Sequence, residues 1–130
     1  MQYITVPNEQ LDRILATRDP VTFTRHISDR YFGYAGIEAG FIFQTFNMSF
    51  PEFGYNPDPE RERRNKALRC AIIKAYDFGA RNESFYGGIA AVYPGIIPPV
   101  VPEFDPGMSH ESITRDVEGA RKLLRDNGWT

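Results

Sequence analysis

Cysteine is almost missing from this chain. Cys70 stands alone among 130 residues, so no internal disulfide can staple the fold. Histidine is equally scarce: His26 and His110 lie 84 positions apart, with no HExxH, CxxC or comparable ligand spacing. That pattern argues against a metal site. No apolar run approaches the roughly 18–20 residues of a membrane span. The opening stretch, MQYITVPNEQ, lacks both the basic n-region and the apolar centre of a secretory leader. No internal repeat or low-complexity tract is present. Charge of one sign is also lacking, because 15 basic residues face 17 acidic ones for a formal net charge of -2. Nucleic-acid binders normally carry a strongly basic balance, so no nucleic-acid partner is expected. With 42% apolar and 25% charged residues the composition is globular rather than disordered. The length predicts one domain, spanning 1–130. A folded chain of this size buries about two-thirds of the surface its unfolded form exposes.

Catalytic material is sparse as well. Ser84 and Ser109 are not in a GxSxG setting. Gly33-x-x-Gly36 and Gly87-Gly88 lack the strand-to-helix context of a phosphate loop. The carboxylates Asp58/Glu60 sit at a helix start and Glu103/Asp105 in a proline-rich loop, where capping and solvation account for them. Cys70, between apolar neighbours, reads as a small buried residue. The expectation is a protein that is not an enzyme, with no catalytic residues, metal or cofactor.

Two things are abundant. Eight aromatics crowd into Tyr31–Phe53, and five prolines into Pro94–Pro106. They read either as an aromatic β core with a rigid surface loop, or as the wall of a ligand cleft. Along the chain, Asn8 is placed to cap a short helix carrying Leu11, Ile14 and Leu15. Asp19-Pro20 breaks it and starts a further helical turn to about Arg25. Residues 27–34 and 41–50 read as aromatic strands, joined by a turn at Gly36–Gly40, and the second suits a central strand. Asp58-Pro59-Glu60 supplies an N-cap, a proline at the first helical position and acid in the first turn.

In the helix that follows, Ala67, Leu68, Ala71, Ile72, Ala75 and Tyr76 form the inward stripe. Leu68 and Ile72 are expected to be almost fully buried, with Arg61 and Lys74 largely exposed. Asp77 caps a second helix ended by Gly87-Gly88. Residues 89–101 are apolar but broken by proline, hence extended and not a paired central strand. A last helix is predicted over 112–126, with Val117, Ala120, Leu123 and Leu124 inward. The predicted fold class is α+β, a small β-sheet on the two aromatic strands packed with three to four helices.

From Phe41 onward these pieces fall into a specific order. Phe46-Asn47-Met48 ends an aromatic strand, and Arg64-Asn-Lys-Ala67-Leu68-Arg69-Cys-Ala71-Ile72-Ile-Lys-Ala75-Tyr76-Asp77 forms a basic helix ending in aspartate. A Gly and Pro loop follows, then Asp116-Val-Glu-Gly-Ala120-Arg-Lys-Leu123-Leu124-Arg-Asp-Asn-Gly128-Trp129. This order resembles the extracellular solute-binding proteins of family 5, the oligopeptide- and dipeptide-binding components of ABC importers. Their pattern is a strand ending in Phe-Asn, a helix of the type R-x-A-[LI]-x-x-A-[IL]-x-x-A-x-D, a Gly and Pro loop, and a helix of the type D-x-x-x-A-x-x-L-L-x-x-x-G-[WY]. The sequence departs from it in the longer, more polar Phe53–Glu62 and in Asp77-Phe-Gly-Ala where Asp-Arg-Glu is frequent. Residues 1–40 fit only loosely.

The resemblance implies a partial lobe of a two-lobed periplasmic-binding-protein-like fold, an excised fragment of a longer chain. The parent would be periplasmic or extracytoplasmic and membrane-associated. It would close a cleft around a peptide or similar solute and deliver it to the importer's membrane subunits. Asn47 and Tyr93 are the expected cleft-facing residues: the Asn47 amide either orients a ligand or satisfies local backbone, and Tyr93 either lines the cleft or packs beneath it. As an isolated fragment the chain is expected to form a homo-oligomer. Two other readings stand beside this one: the solute-sensing domain of a cytoplasmic transcription regulator, and a self-standing α+β interaction module.

Overall fold

The computed structural model describes residues 4–36 and 38–129. Ile37, inside the expected Gly36–Gly40 turn, and the terminal residues 1–3 and 130 lie outside the described residues. Within them are five α-helices, two short 3-10 turns and one two-stranded antiparallel sheet, a small structure of the general α+β class.

A 3-10 turn, Asn8–Gln10, leads into the single-turn helix α1, Leu11–Ile14. Asn8 caps neither: Pro7 holds the cap position of the turn and Gln10 that of α1, and the Asn8 side-chain amide instead donates to the Phe85 carbonyl at 2.7 Å. The expected continuation as helix is replaced by a hairpin of β1, Leu15–Arg18, and β2, Val21–Phe23. Asp19-Pro20, with a cis peptide bond, makes the turn. Thr17 and Thr22 face each other with their hydroxyls 2.6 Å apart, a cross-strand pairing suited to β-branched residues. Helix α2, Arg25–Ser28, then takes the start of the expected strand 27–34. Its bonds run from the Ile27 amide to Thr24 and from the Tyr31 amide to Ile27.

Neither aromatic strand forms. From Phe32 to Phe46 no described residue makes a backbone hydrogen bond, and Asn47–Gly54 is a run of turns. β-propensity is the tendency to fit a pleated, half-buried surface, and no such surface is offered here.

Helix α3, Pro59–Ala75, is the longest element, about 25 Å at 1.5 Å per residue. Asp58 caps it by accepting from the Glu60 and Arg61 amides at 2.9 and 3.0 Å. Helix α4, Phe78–Tyr86, is capped by Asp77 and stopped by Gly87 at φ 57°, a left-handed conformation in which glycine carries no Cβ penalty. Residues 89–101 run as turns and bends in which Pro94 and Pro98 are buried. Asn82 holds their start by bonding both the amide and the carbonyl of Ala90.

The last helix, α5, covers Val117–Asp126, later than expected. Asp116 caps it through the Gly119 amide, and residues 110–113 form a separate 3-10 turn. A residue already used as a cap has non-helical dihedrals, so the helix cannot extend back through it.

Leu11 of α1 and Leu15 of β1 are buried, and the other buried apolar side chains, on α3 and α5, are small. Ala67, Ala71 and Ala120 are buried, Ala71 to 2% exposure. Leu68 is only half-buried and Ile72 is 39% exposed, so the inward stripe is the alanine row and not the Leu68–Ile72 row beside it. Lys74 is half-buried rather than free, while Arg61 is exposed as expected. Alanine lets two helix backbones approach closely, and the longer side chains are then pushed to the flanks.

Candidate functional site

The segment that carries the expected site is tied to α3 by polar anchors. Asn65, 6% exposed, donates its amide to the carbonyls of Pro51 at 2.7 Å and Gly54 at 2.9 Å. One turn on, the Arg69 guanidinium donates to the Phe53 carbonyl at 2.6 Å and to Glu62 at 2.7 Å. Glu62 in turn accepts from the Asn56 amide at 2.9 Å. The Arg69 bond first, and the Asn56 amide second, hold the Glu62 carboxyl below the usual carboxylate range. The fit leaves little room. A Cβ on Gly54 would sit 2.4 Å from the Met48 carbonyl oxygen, so only glycine fits there without a shift. Phe46 closes the loop against Phe53, the two rings tilted with centres 5.2 Å apart.

Asn47 stands at the outer end of this anchored loop and is exposed. Its side-chain oxygen accepts from the Ser49 amide at 3.1 Å, an Asx turn, which is the local use the sequence left open. Its Nδ2 has no hydrogen-bond partner among the described residues. Tyr93 is half-buried in the proline-rich segment, edge-on to Phe104 with centroids 6.1 Å apart. Its hydroxyl is enclosed and unpartnered among the described residues. No hydrogen bond or ring contact joins Asn47 to Tyr93 among them.

Two shallow depressions flank the α3–α5 seam. One, about 330 Å³, is lined by Ile73, Lys74, Ser109, Glu111 and Ser112. Its charges are matched: the Lys74 ammonium lies 3.3 Å from Asp116 and 3.7 Å from Glu111. The Gly119 amide, then Lys74, hold the Asp116 carboxyl below its ordinary range. The other, about 220 Å³, is lined by Arg63, Lys66, Ala67, Cys70, Leu123 and Asn127. Cys70 is half-buried there on the flank of α3 rather than buried, in a depression lined by Ala67 and Leu123 as well as by Arg63 and Lys66. Among the described residues, no group of three or more His, Cys, Asp or Glu side chains is placed to hold a metal. No helix among them is long and apolar enough to cross a membrane.

The anchors Asn65 and Arg69 were not legible as such in the sequence. The signal that could have found Asn65 is a polar amide only two residues ahead of Ala67 on an alanine-rich helix. Compared with known proteins, the chain matches no family model, no curated protein and no solved structure.

Proposed function

We propose that this chain is a segment of the second lobe of an ABC importer's solute-binding protein, binding a peptide or similar solute without catalysis. The observation that carries this reading is the α3–α5 seam. The alanines that define the resemblance, Ala67 and Ala71 in one helix and Ala120 in the other, are the residues buried where the two helices meet. The end of the pattern returns to the same seam: the Trp129 indole donates to the Arg64 carbonyl at 2.8 Å, with the Arg64 guanidinium 4.3 Å above the ring. Widely separated motif residues thus have one shared structural reason. Asn65 stands where the pattern has arginine and acts as the anchor of the Pro51–Gly54 loop instead. Asn47 offers its free amide at the loop's outer end, and a solute held there would be closed over by a second lobe through hinge motion.

A single wall leaves most of a ligand in water, so little desolvated contact offsets the cost of association. The isolated chain is therefore expected to bind no peptide tighter than about 0.1 mM. Calorimetry against a mixed peptide library tests this, and a micromolar isotherm would favour the self-standing module. The surrounding reading frame is the second test. A secretory leader and a first lobe upstream support the importer, and a helix-turn-helix there overturns it in favour of a transcription regulator.

A further inference from the structure

The chain exposes 10361 Å². A compact monomer of its mass exposes roughly 7,000 Å² on the usual scaling, leaving a surplus of roughly 3,000 Å². A stable protein–protein interface covers about 800 Å² on each partner, and obligate ones more. Part of the surplus lies between Tyr31 and Phe50. Phe32 is 91% exposed, and Tyr34, Ile42, Phe43 and Phe50 are each more than half exposed. Between Tyr31 and Phe50 the sequence carries a single charge, Glu38. From Phe41 to Phe46 the backbone contains no proline and makes no backbone hydrogen bond among the described residues. Free amides and carbonyls beside apolar side chains are what a second strand requires. The other apolar segment, 89–101, differs on this point: its prolines lack the donors a ladder needs, and two of them are already buried.

We infer that Phe41–Phe46 is a self-pairing edge, by which two copies of this chain join antiparallel about a two-fold axis at Phe43. The occupant is a second copy because the segment is uncharged and complementary to itself, and because isologous pairing buries the same surplus on both chains. The register follows from which aromatics are free. Phe46 is already seated on Phe53, whereas Phe41 and Phe43 lie against each other with ring centres 5.5 Å apart and, in a strand, would share one face. Antiparallel neighbours directly opposite share a face, so an axis at Phe43 sets Phe43 against its own copy and Phe41 against Thr45. An axis at Gln44 would instead oppose two amides and set Phe43 against Thr45 and Phe41 against Asn47, with no pair of phenyl groups face to face. This inference does not depend on the solute-binding reading, which concerns a cleft rather than this edge.

Light scattering after size exclusion at about 50 µM is expected to give twice the 14.9 kDa chain mass. Phe43→Lys, at a position already 67% exposed, is expected to weaken association at least tenfold with unchanged circular dichroism. Ile96→Lys, on the other apolar segment, is expected to leave it unaltered. In a Cys70→Ser background, Phe43→Cys is expected to cross-link between copies under copper-phenanthroline and air, and Ile96→Cys is not. A monomer at this concentration overturns the inference. So does a dimer that ignores Phe43→Lys, or one that cross-links through position 96.

Discussion

Between Pro59 and Ala75 the chain turns its small residues inward and leaves long side chains on the flanks. Between Tyr31 and Phe50 it leaves its largest apolar side chains in water with little behind them. The two regions are not separated by hydrophobicity, since the second is the more apolar. They are separated by whether the backbone can satisfy itself. An α-helix closes its own amides and carbonyls and needs a partner only for one stripe, which α5 provides through Ala120. An extended segment closes none of its own, so it stays unburied until another strand supplies the ladder. The loop between them is held on the helical side by Asn65 and Arg69, where polar bonds replace apolar contact.

The contrast can be broken most forcefully at the seam. Ala71→Leu forces extra volume between α3 and α5 and is expected to cost about 3 kcal/mol, read from urea unfolding. A cost near zero would mean the two helices do not touch there. Asn65→Leu strands the Pro51 and Gly54 carbonyls and is expected to cost about 2 kcal/mol. Amide exchange should then rise through 50–56 before it rises in α3. If exchange rises first inside the helix, the loop is not what Asn65 holds.

Acid should also act on the helical side. Glu62 and Asp116 have folded pKa values lowered by Arg69 and by the Gly119 amide respectively. Their contribution is therefore present above the unfolded carboxylate pKa and is lost as pH falls through the folded one, from about pH 5 downward. Asp116→Asn is expected to flatten that acid limb in a pH series of thermal unfolding, and an unchanged limb would remove Asp116 from the account. The smallest effects belong to exposed apolar side chains. Ile72→Ala should cost under about 1 kcal/mol, and Phe32→Ser should shift stability by no more than about 0.5 kcal/mol. A loss of several kcal/mol at Phe32 would show that the aromatic segment is packed after all.

The helical half was readable because its signals are local. Asp58, Pro59, Asp77 and Gly87 act within a few residues of themselves, and α3 and α4 begin and end where those residues stand. The phase of α3 was not readable, because the Leu68–Ile72 row looks like a core until Ala120 is known to lie against the alanines. That fact is almost fifty residues away. Asn65 is similar, with partners 11 and 14 residues back along the chain. The strands were misread for the same reason in reverse: aromatic and β-branched residues favour a sheet, but pairing is settled by a partner the segment does not contain. Meanwhile Leu15–Phe23, with only a brief apolar pattern, pairs because Asp19-Pro20 turns it back on itself. At the expected site, Asn47 was placed at the end of a central strand that does not form, and its Asx turn belongs to a loop that the strand assignment had covered.

Trp129 is the chain's single tryptophan, and it closes on Arg64 from the far end of α5. Its emission is therefore a built-in gauge of one event, the lifting of the last helix from the middle of α3. The seventeen phenylalanines and tyrosines carry no part of a signal excited at the indole edge. Stirring the aromatic segment, by salt, detergent or a second chain, should leave that emission still, while any agent that pries the alanine seam apart should move it at once.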